Sequence, residues 1–176
     1  MARLGVPFEI AEPEYTERDL GLAPTEESLG HARGKADSVA AQYEEAVVVG
    51  SDQLLFWSGR RHYKPESEAQ AVKQLMELRG IEHYLYTSLV VMELPASHRL
   101  EDVTISKLVI RKDLREEEAH RYVRRDSPVG CAGGYRLESL GISLFREIDT
   151  PDYTAVLGLP LMALSRFLRV LGFRIP

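Results

Sequence analysis

An acidic residue, Asp52, stands directly after the most apolar short run of the chain. Residues 46–49 are Ala-Val-Val-Val, and Gly50 and Ser51 end that run. Three successive β-branched residues predict a buried strand whose carboxyl end carries Asp52. Ligands of open α/β sheets bind at this end of the strands, and a carboxylate there can hold a divalent cation or accept a proton from water. The alternative use of such an aspartate is to cap a turn after the strand.

Two lysines, Lys35 and Lys64, are candidate partners for negatively charged phosphates. Hydrolysis of a phosphoanhydride depends on positioning and charge neutralisation, so it needs carboxylates for Mg²⁺ or Mn²⁺ and cations for the phosphate oxygens. Lys64 follows a turn signal at Ser58-Gly59, which allows the chain to return to the edge that carries Asp52. The alternative for each lysine is a solvated surface residue.

A glycine pair and a later glutamate add a weaker signal. Gly133 and Gly134 can expose backbone N–H groups to an anion, and Glu138 can contact the edge of a base. No phosphate-binding pattern of the GxGxxG or GxxxxGKS type occurs, so these residues do not define a nucleotide site alone. His83 and Cys131 are interpreted as packing residues because neither has an evident chemical partner.

The elements that must position these residues follow from periodicity and turn signals. The predicted elements are a strand over 6–10, a helix over 26–44 capped by Thr25, the central strand from 46, a helix from 67 to 80, a hairpin of strands over 83–94 and 103–111 with a turn at 95–97, a helix over 113–125, a strand over 142–148 and a helix from 160 to 171. This order predicts an α/β domain with a mixed sheet flanked by helices.

Composition limits the classes of function. The chain has 176 residues, of which 44% are hydrophobic and 28% charged, and its net charge is −5. These values are typical of one soluble globular domain. The negative charge argues against non-specific binding to nucleic acid or to an anionic membrane, both of which favour a basic surface. A single cysteine excludes an internal disulfide, and neither a signal peptide nor a run of roughly 18 apolar residues occurs, so we expect a cytoplasmic protein.

Seven short motifs occur along the chain in order. They are Leu4-Gly5-Val6-Pro7-Phe8-Glu9, Ala32-Arg33-Gly34-Lys35-Ala36, Gly50-Ser51-Asp52-Gln53, Lys64-Pro65, Ala132-Gly133-Gly134-Tyr135, Glu138-Ser139-Leu140-Gly141 and Gly158-Leu159-Pro160-Leu161. In their order and spacing they resemble the Maf family of nucleoside triphosphate pyrophosphatases. Gln53 and Glu138 resemble the 7-methyl-GTP branch, whereas the dTTP/UTP branch usually has threonine at the first place and glutamine near the second.

The resemblance implies a reaction and a role for each matching residue. It implies hydrolysis between the α and β phosphates to a nucleoside monophosphate and pyrophosphate, with Mg²⁺ or Mn²⁺ as cofactor. Asp52 would be the proton acceptor and a metal ligand, Lys35 and Lys64 would bind phosphate oxygens, and Gln53 and Glu138 would select the base. An elongated α/β fold with two sub-lobes around a cleft, a small-molecule nucleotide as partner and a homodimer are implied too.

Two positions depart from the family pattern. The Ser-x-Ser-x-Arg-Arg segment that follows the family's first strand has no counterpart in residues 1–176, which otherwise form one Maf-like domain. Without that strand we expect an unpaired sheet edge. The place of a metal-binding glutamate ahead of Pro24 is taken by Leu22, and Glu17 or Asp19 are the candidate replacements.

Three interpretations therefore stand at this point. The first is an active pyrophosphatase for a modified nucleotide, with 7-methyl-GTP as the best guess. The second is a nucleotide-binding or regulatory relative without turnover, which predicts thermal stabilisation by nucleotide and no product. The third is that the sequence begins downstream of the true start.

Overall fold

The computed structural model describes residues 1–96 and 98–175. Its helices are α1 (Pro24–Ala40), α2 (Glu68–Leu78), α3 (Glu116–Asp126), α4 (Tyr153–Val156) and α5 (Leu161–Val170), and its strands are β1 (Ala46–Trp57), β2 (Arg60–His62), β3 (Glu82–Leu94), β4 (His98–Ile110) and β5 (Phe145–Asp149). Short 3₁₀ turns occur at Ala2–Leu4, Ala132–Gly134 and Leu140–Leu144. Among these residues no helix is long and apolar enough to cross a bilayer.

The strands form one five-stranded sheet in the order β2-β1-β3-β4-β5. The predicted α/β class with flanking helices is confirmed, but the sheet is antiparallel where a mixed sheet was expected. The reason is local, because the tight turn at Ser58-Gly59 returns the chain directly alongside β1, so that Leu55 lies opposite His62. Similarly, β5 runs antiparallel to β4, with Leu108 opposite Ile148.

The chain divides into two compact units. Unit 1 contains residues 1–52, 87–104 and 152–176, and unit 2 contains residues 53–86 and 105–151. In unit 1 successive residues of β3 enter two different cores, because side chains alternate along a strand. Val90 and Met92 pack with α1 and Val48, whereas Leu89 and Val91 pack with the α5 residues Ala163, Leu164, Phe167 and Leu168.

The contact between α1 and β1 is unusually close because of Gly50. A Cβ atom at this position would lie 2.6 Å from the carbonyl oxygen of Ala32 and 2.8 Å from the Cβ of Ala36. The helix therefore packs directly on the strand backbone. Lys35, which lies between Ala32 and Ala36 on α1, is thereby brought to Asp52 on β1. The helix begins at Pro24, which suits the first helical position, rather than after a Thr25 cap.

In unit 2 the predicted start of α2 is confirmed by its cap. The hydroxyl of Ser67 accepts a hydrogen bond from the Gln70 N–H at 3.3 Å, and the Glu66 N–H donates to the side-chain oxygen of Gln70 at 2.7 Å. The N–H of Gly130 donates to the carbonyl of Pro65 at 2.9 Å. This bond fastens the loop over 128–134 to the segment that carries Lys64.

Two local predictions differ from the structure, and one falls partly outside the described residues. Residues 6–10 form no strand, and the predicted strand over 142–148 begins as the 3₁₀ turn Leu140–Leu144 before β5. The predicted turn at 95–97 includes Ser97, which lies outside the described residues. Because β2 pairs only with residues 55–57 of β1, residues 46–54 have no strand neighbour on that side within the described ranges. A cavity of about 550 Å³ borders this edge, and its lining includes residues 6–11, residues 46–49 and Leu168 of α5.

Candidate active site

Asp52 and Lys35 form a buried ion pair in unit 1. The Nζ of Lys35 lies 2.6 Å from Oδ1 of Asp52, whose side chain is only 2% exposed. Asp52 belongs to β1 and Lys35 to α1, and the close approach of helix and strand at Gly50 brings them within reach. The structure thus brings together two of the predicted site residues, and Asp52 does not act as a simple turn cap.

Glu17 is a second carboxylate on the same lysine. Its Oε1 lies 2.6 Å from the Lys35 Nζ, so Lys35 bridges two acids. Burial lowers the pKa of Lys35, but the hydrogen bonds to Asp52 and Glu17 outweigh burial and leave the pKa above its ordinary value. Lys35 is therefore a charged ammonium group at neutral pH.

Asp19, the other candidate replacement for the expected glutamate, has a different role from Glu17. The carboxylate of Asp19 accepts a hydrogen bond from the Gly21 N–H at 2.8 Å, which stabilises a turn. Leu22, at the place of the expected glutamate, is about half exposed. The sequence named Glu17 only as one of two candidate replacements for the expected glutamate, because no local pattern separates it from Asp19.

The second carboxylate oxygen of Asp52 faces no hydrogen-bond donor in the part of the chain that the structure describes. Among the described residues, Oδ2 of Asp52 is buried and lacks a hydrogen-bond partner. A buried acceptor without a partner is unfavourable, which makes it a place where a ligand atom or water is expected. With Glu17, it offers two hard oxygen donors. No group of three or more metal-ligand side chains occurs in the described ranges, and Mg²⁺ commonly uses one or two carboxylates together with phosphate oxygens.

Ser51 fixes the middle of β1, next to Asp52. Its hydroxyl proton is shared between the carbonyl oxygens of Ser88 at 2.7 Å and Gly158 at 2.8 Å. Ser51 therefore connects β1 to β3 and to the loop before α5, next to Asp52. Sequence reasoning treated it only as the end of an apolar run.

A second group of predicted residues lies in unit 2. The guanidinium Nε of Arg136 donates to Glu138 at 3.1 Å, so Glu138 is paired with a cation. Burial raises the pKa of the Cys131 thiol, and the charges of Arg136, Glu138 and Lys64 all act on it. Lys64 and Glu138 therefore share one neighbourhood around Cys131. Gln53 begins the part of β1 that belongs to unit 2.

His83 is buried as the sequence predicted, whereas Cys131 is of intermediate exposure. His83 is fully buried, and its ring nitrogens lie 3.2 Å from the carbonyl of Ile81 and 3.2 Å from the hydroxyl of Tyr135. Burial, with only the backbone contact opposing it, lowers the pKa of His83 to about 4. His83 is therefore a neutral core residue at pH 7.

Comparison with known proteins agrees with the motif order. A family model described as "Maf-like protein" matches residues 1–171. The chain belongs to the Maf family. A Maf relative from Syntrophotalea carbinolica, named 7-methyl-GTP pyrophosphatase, is 38% identical over 99% of this chain and 89% of its own length.

Two further Maf relatives carry the same name. The protein of Albidiferax ferrireducens is 36% identical over 99% of this chain and 88% of its own length. That of Pseudomonas aeruginosa is 33% identical over 100% of this chain and 92% of its own length. The predicted family, and its branch as judged by the names of these relatives, are confirmed.

Proposed function

We propose that this Maf protein hydrolyses the α–β phosphoanhydride of a modified nucleoside triphosphate, 7-methyl-GTP, to the monophosphate and pyrophosphate. The observation that carries the proposal is the buried Asp52, held by Lys35 on one oxygen and, among the described residues, without a hydrogen-bond partner on the other. The class of enzyme, a nucleotide pyrophosphatase, rests on family membership and on the relatives' names.

Asp52 is assigned the role of general base. Its Oδ2 can accept a hydrogen bond from one water molecule and take a proton as the water oxygen attacks the α-phosphorus. The bond between that phosphorus and the bridging oxygen breaks, and pyrophosphate leaves. The fixed contact between Oδ1 and Lys35 orients the carboxylate, which favours attack from one direction.

Lys35 neutralises charge on the phosphates. An ammonium group has three N–H donors, and the contacts with Asp52 and Glu17 use two of them. The third donor is left for a phosphate oxygen. Lys64, which is exposed in unit 2, is assigned to another phosphate oxygen on the basis of its motif.

A divalent cation fits the acidic pair in this arrangement. Asp52 and Glu17 would hold Mg²⁺ or Mn²⁺ together with phosphate oxygens, since these metals prefer oxygen ligands. When bound, the cation would offset the negative charge that builds up on the phosphates. Among the described residues Oδ2 of Asp52 has no hydrogen-bond partner, and a carboxylate oxygen has two lone pairs, so one could face the cation while the other accepts the proton of the water.

Gln53 and Glu138 are assigned to the base. The carboxylate of Glu138 can accept hydrogen bonds from the N1–H and the 2-amino group of a guanine, and N7-methylation adds a positive charge that a carboxylate attracts. Its side chain is 43% exposed, so it is accessible to a ligand. The names of the relatives support the choice of 7-methylguanine.

A pyrophosphate-release assay tests the proposal. The protein is incubated with Mg²⁺ or Mn²⁺ and a panel of 7-methyl-GTP, GTP, ATP, UTP and dTTP, and we expect the highest kcat/KM with 7-methyl-GTP. Asp52→Asn should lower kcat by about 10²–10⁴-fold, the range typical of a general base. Asp113→Asn, an exposed aspartate of unit 2, is the matched control and should retain full activity.

Two results would contradict parts of the proposal. Undiminished turnover by the Asp52→Asn variant would remove Asp52 from the reaction. A rise in Tm with 7-methyl-GTP but no pyrophosphate from any nucleotide would replace the enzyme with a nucleotide-binding protein.

A further inference from the structure

The segment over 6–22 crosses α1 without any secondary structure of its own, and one aromatic ring anchors it. The ring of Tyr15 lies on the bare surface of Gly34, where a Cβ atom would be 2.1 Å from Cε2 and 2.7 Å from Cζ of that ring. Gly34 has ordinary helical geometry, so the helix itself would accept alanine there. Glycine at position 34 leaves room for the Tyr15 ring, although glycine destabilises the interior of a helix.

The polar end of Tyr15 is fixed as well. Its hydroxyl lies 2.9 Å from Nδ1 of His31, and the two rings meet edge to face with centroids 5.8 Å apart. His31 is fully buried and stands one turn before Lys35 on α1. Residues three and four apart share a helix face, so Tyr15 lies on the same face as Lys35.

A second contact of the same kind holds the other side of the segment. The Cδ1 of Leu20 lies 2.9 Å from where a Cβ of Gly30 would be, and the Leu20 N–H points at Oε1 of Glu27 at 3.4 Å. Glu17 lies between the two anchors. The anchors therefore determine where its carboxylate stands.

We propose that Tyr15 is a positioning residue, whose ring on Gly34 and hydroxyl on His31 hold the carboxylate of Glu17 against Lys35. Glu17 has no helix or strand to fix its backbone, and a free loop would spread its side chain over many conformations. The ring contact of Tyr15, two residues before Glu17, restricts that freedom together with the Leu20 anchor. The catalytic consequence of this inference rests on the proposed function, because the position of Glu17 affects catalysis only if Lys35 binds the phosphates and Glu17 binds the metal.

The first test measures the position of Glu17 without any nucleotide. Reductive methylation followed by mass spectrometry gives the labelling rate of Lys35, with Lys73 and Lys112 as references in the same chain. Tyr15→Ala and Gly34→Ala should each raise the relative rate of Lys35 several-fold, because loss of the Glu17 contact exposes the amine to the reagent. Tyr15→Phe, which keeps the ring, should give a smaller rise. Tyr43→Ala, another tyrosine of unit 1, is the matched control and should change nothing.

The steric part of the proposal has its own signature. Gly34→Ala should lower Tm when Tyr15 is present, because the methyl group and the ring occupy the same space. In a Tyr15→Ala background the same substitution should raise Tm, because alanine favours the helix once the ring is gone. An unchanged Lys35 rate in folded Tyr15→Ala protein, or the same sign of the Tm shift in both backgrounds, would overturn the proposal. Tyr15→Ala introduces no steric clash, so its labelling rate still tests the proposal if the Gly34→Ala protein does not fold.

An activity arm separates this inference from the proposed function. Tyr15→Ala should lower kcat for 7-methyl-GTP and raise the metal concentration needed for half-maximal rate, and both effects should vanish in a Glu17→Gln background. Equal effects in both backgrounds would refute positioning through Glu17. If the wild-type chain hydrolyses no nucleotide but the labelling result holds, the proposed function fails and the positioning role stands.

Discussion

Substitution of Gly50 by alanine tests whether the contact between α1 and β1 sets the geometry of the Lys35–Asp52 pair. The added methyl carbon would lie 2.6 Å from the Ala32 carbonyl oxygen, and this backbone atom cannot rotate away. An ordinary contact needs about 3.4 Å or more, so helix and strand must separate by roughly 0.8 Å. Overpacking of this kind typically costs about 1–3 kcal/mol. A shift near 1 Å in a catalytic pair can lower the rate by about 10²-fold.

Urea unfolding followed by circular dichroism measures the first quantity, and pyrophosphate release from 7-methyl-GTP the second. We expect the free energy of unfolding to fall by about 1–3 kcal/mol with an unchanged m-value, and kcat/KM to fall by about 10–100-fold. Gly172→Ala is the control, because a Cβ there meets no atom within 4 Å and only its positive φ is unfavourable. It should lose some stability and no activity. A Gly50→Ala protein with wild-type stability and rate would show that helix and strand are not in the close contact on which the site depends.

Three further results are expected. His83 is neutral in the folded protein, where its pKa is about 4, but it takes up a proton below about pH 6.5 once the chain is unfolded. The free energy of unfolding should therefore fall as the pH drops from about 6.5 towards 4, by a contribution on the order of 2–3 kcal/mol. The urea unfolding curves of His83→Gln should depend less on pH. Asp152→Ala should cost about 2–4 kcal/mol in urea unfolding, because the buried carboxylate accepts from the N–H groups of Thr154 at 2.9 Å and Met162 at 2.8 Å at the starts of two helices. Glu138→Gln should lower kcat/KM for 7-methyl-GTP by about 10-fold or more relative to GTP, because the charge that attracts the methylated base is lost.

Each of these expectations has a result that contradicts it. A pH dependence of unfolding that is the same in His83→Gln and wild type would assign the acid sensitivity to other groups. Asp152→Ala with wild-type stability would mean that water replaces the carboxylate at both helix starts. An unchanged preference between 7-methyl-GTP and GTP in the Glu138→Gln variant would remove Glu138 from base selection.

The parts of the fold that the sequence predicted are those with strong local signals. The Val47–Val49 run predicts β1 because successive β-branched residues favour a buried strand. The Ser67 cap and the apolar stripe of α5 were likewise predicted from local patterns. The predicted place of Asp52 at the carboxyl end of that strand is wrong, because β1 continues through Gly50 and Ser51 to Trp57 and Asp52 lies within it. The run over 6–10 contains strand formers but is not a strand, since strand propensity has an effect only where a partner strand is present.

The candidate site was predictable only in part. Lys35 and Asp52 were paired through motif order, not from any local pattern, and the structure brings them together. The role of Tyr15 and the contact of Glu17 with Lys35 were not visible, because they depend on how an irregular segment crosses a helix. The one sequence signal was a pair of glycines four residues apart in α1, Gly30 and Gly34, which permits close approach of another segment but does not identify it.

The bridge that Lys35 makes between two acids has a thermodynamic consequence. Lys35 already has two counter-ions, so two carboxylates offset its charge before a triphosphate arrives. A divalent ion on the other oxygens of these carboxylates would offset their negative charge, so that more of the positive charge of Lys35 would act on the phosphates. Metal and nucleotide should therefore each tighten the binding of the other by the same factor, because such coupling is reciprocal.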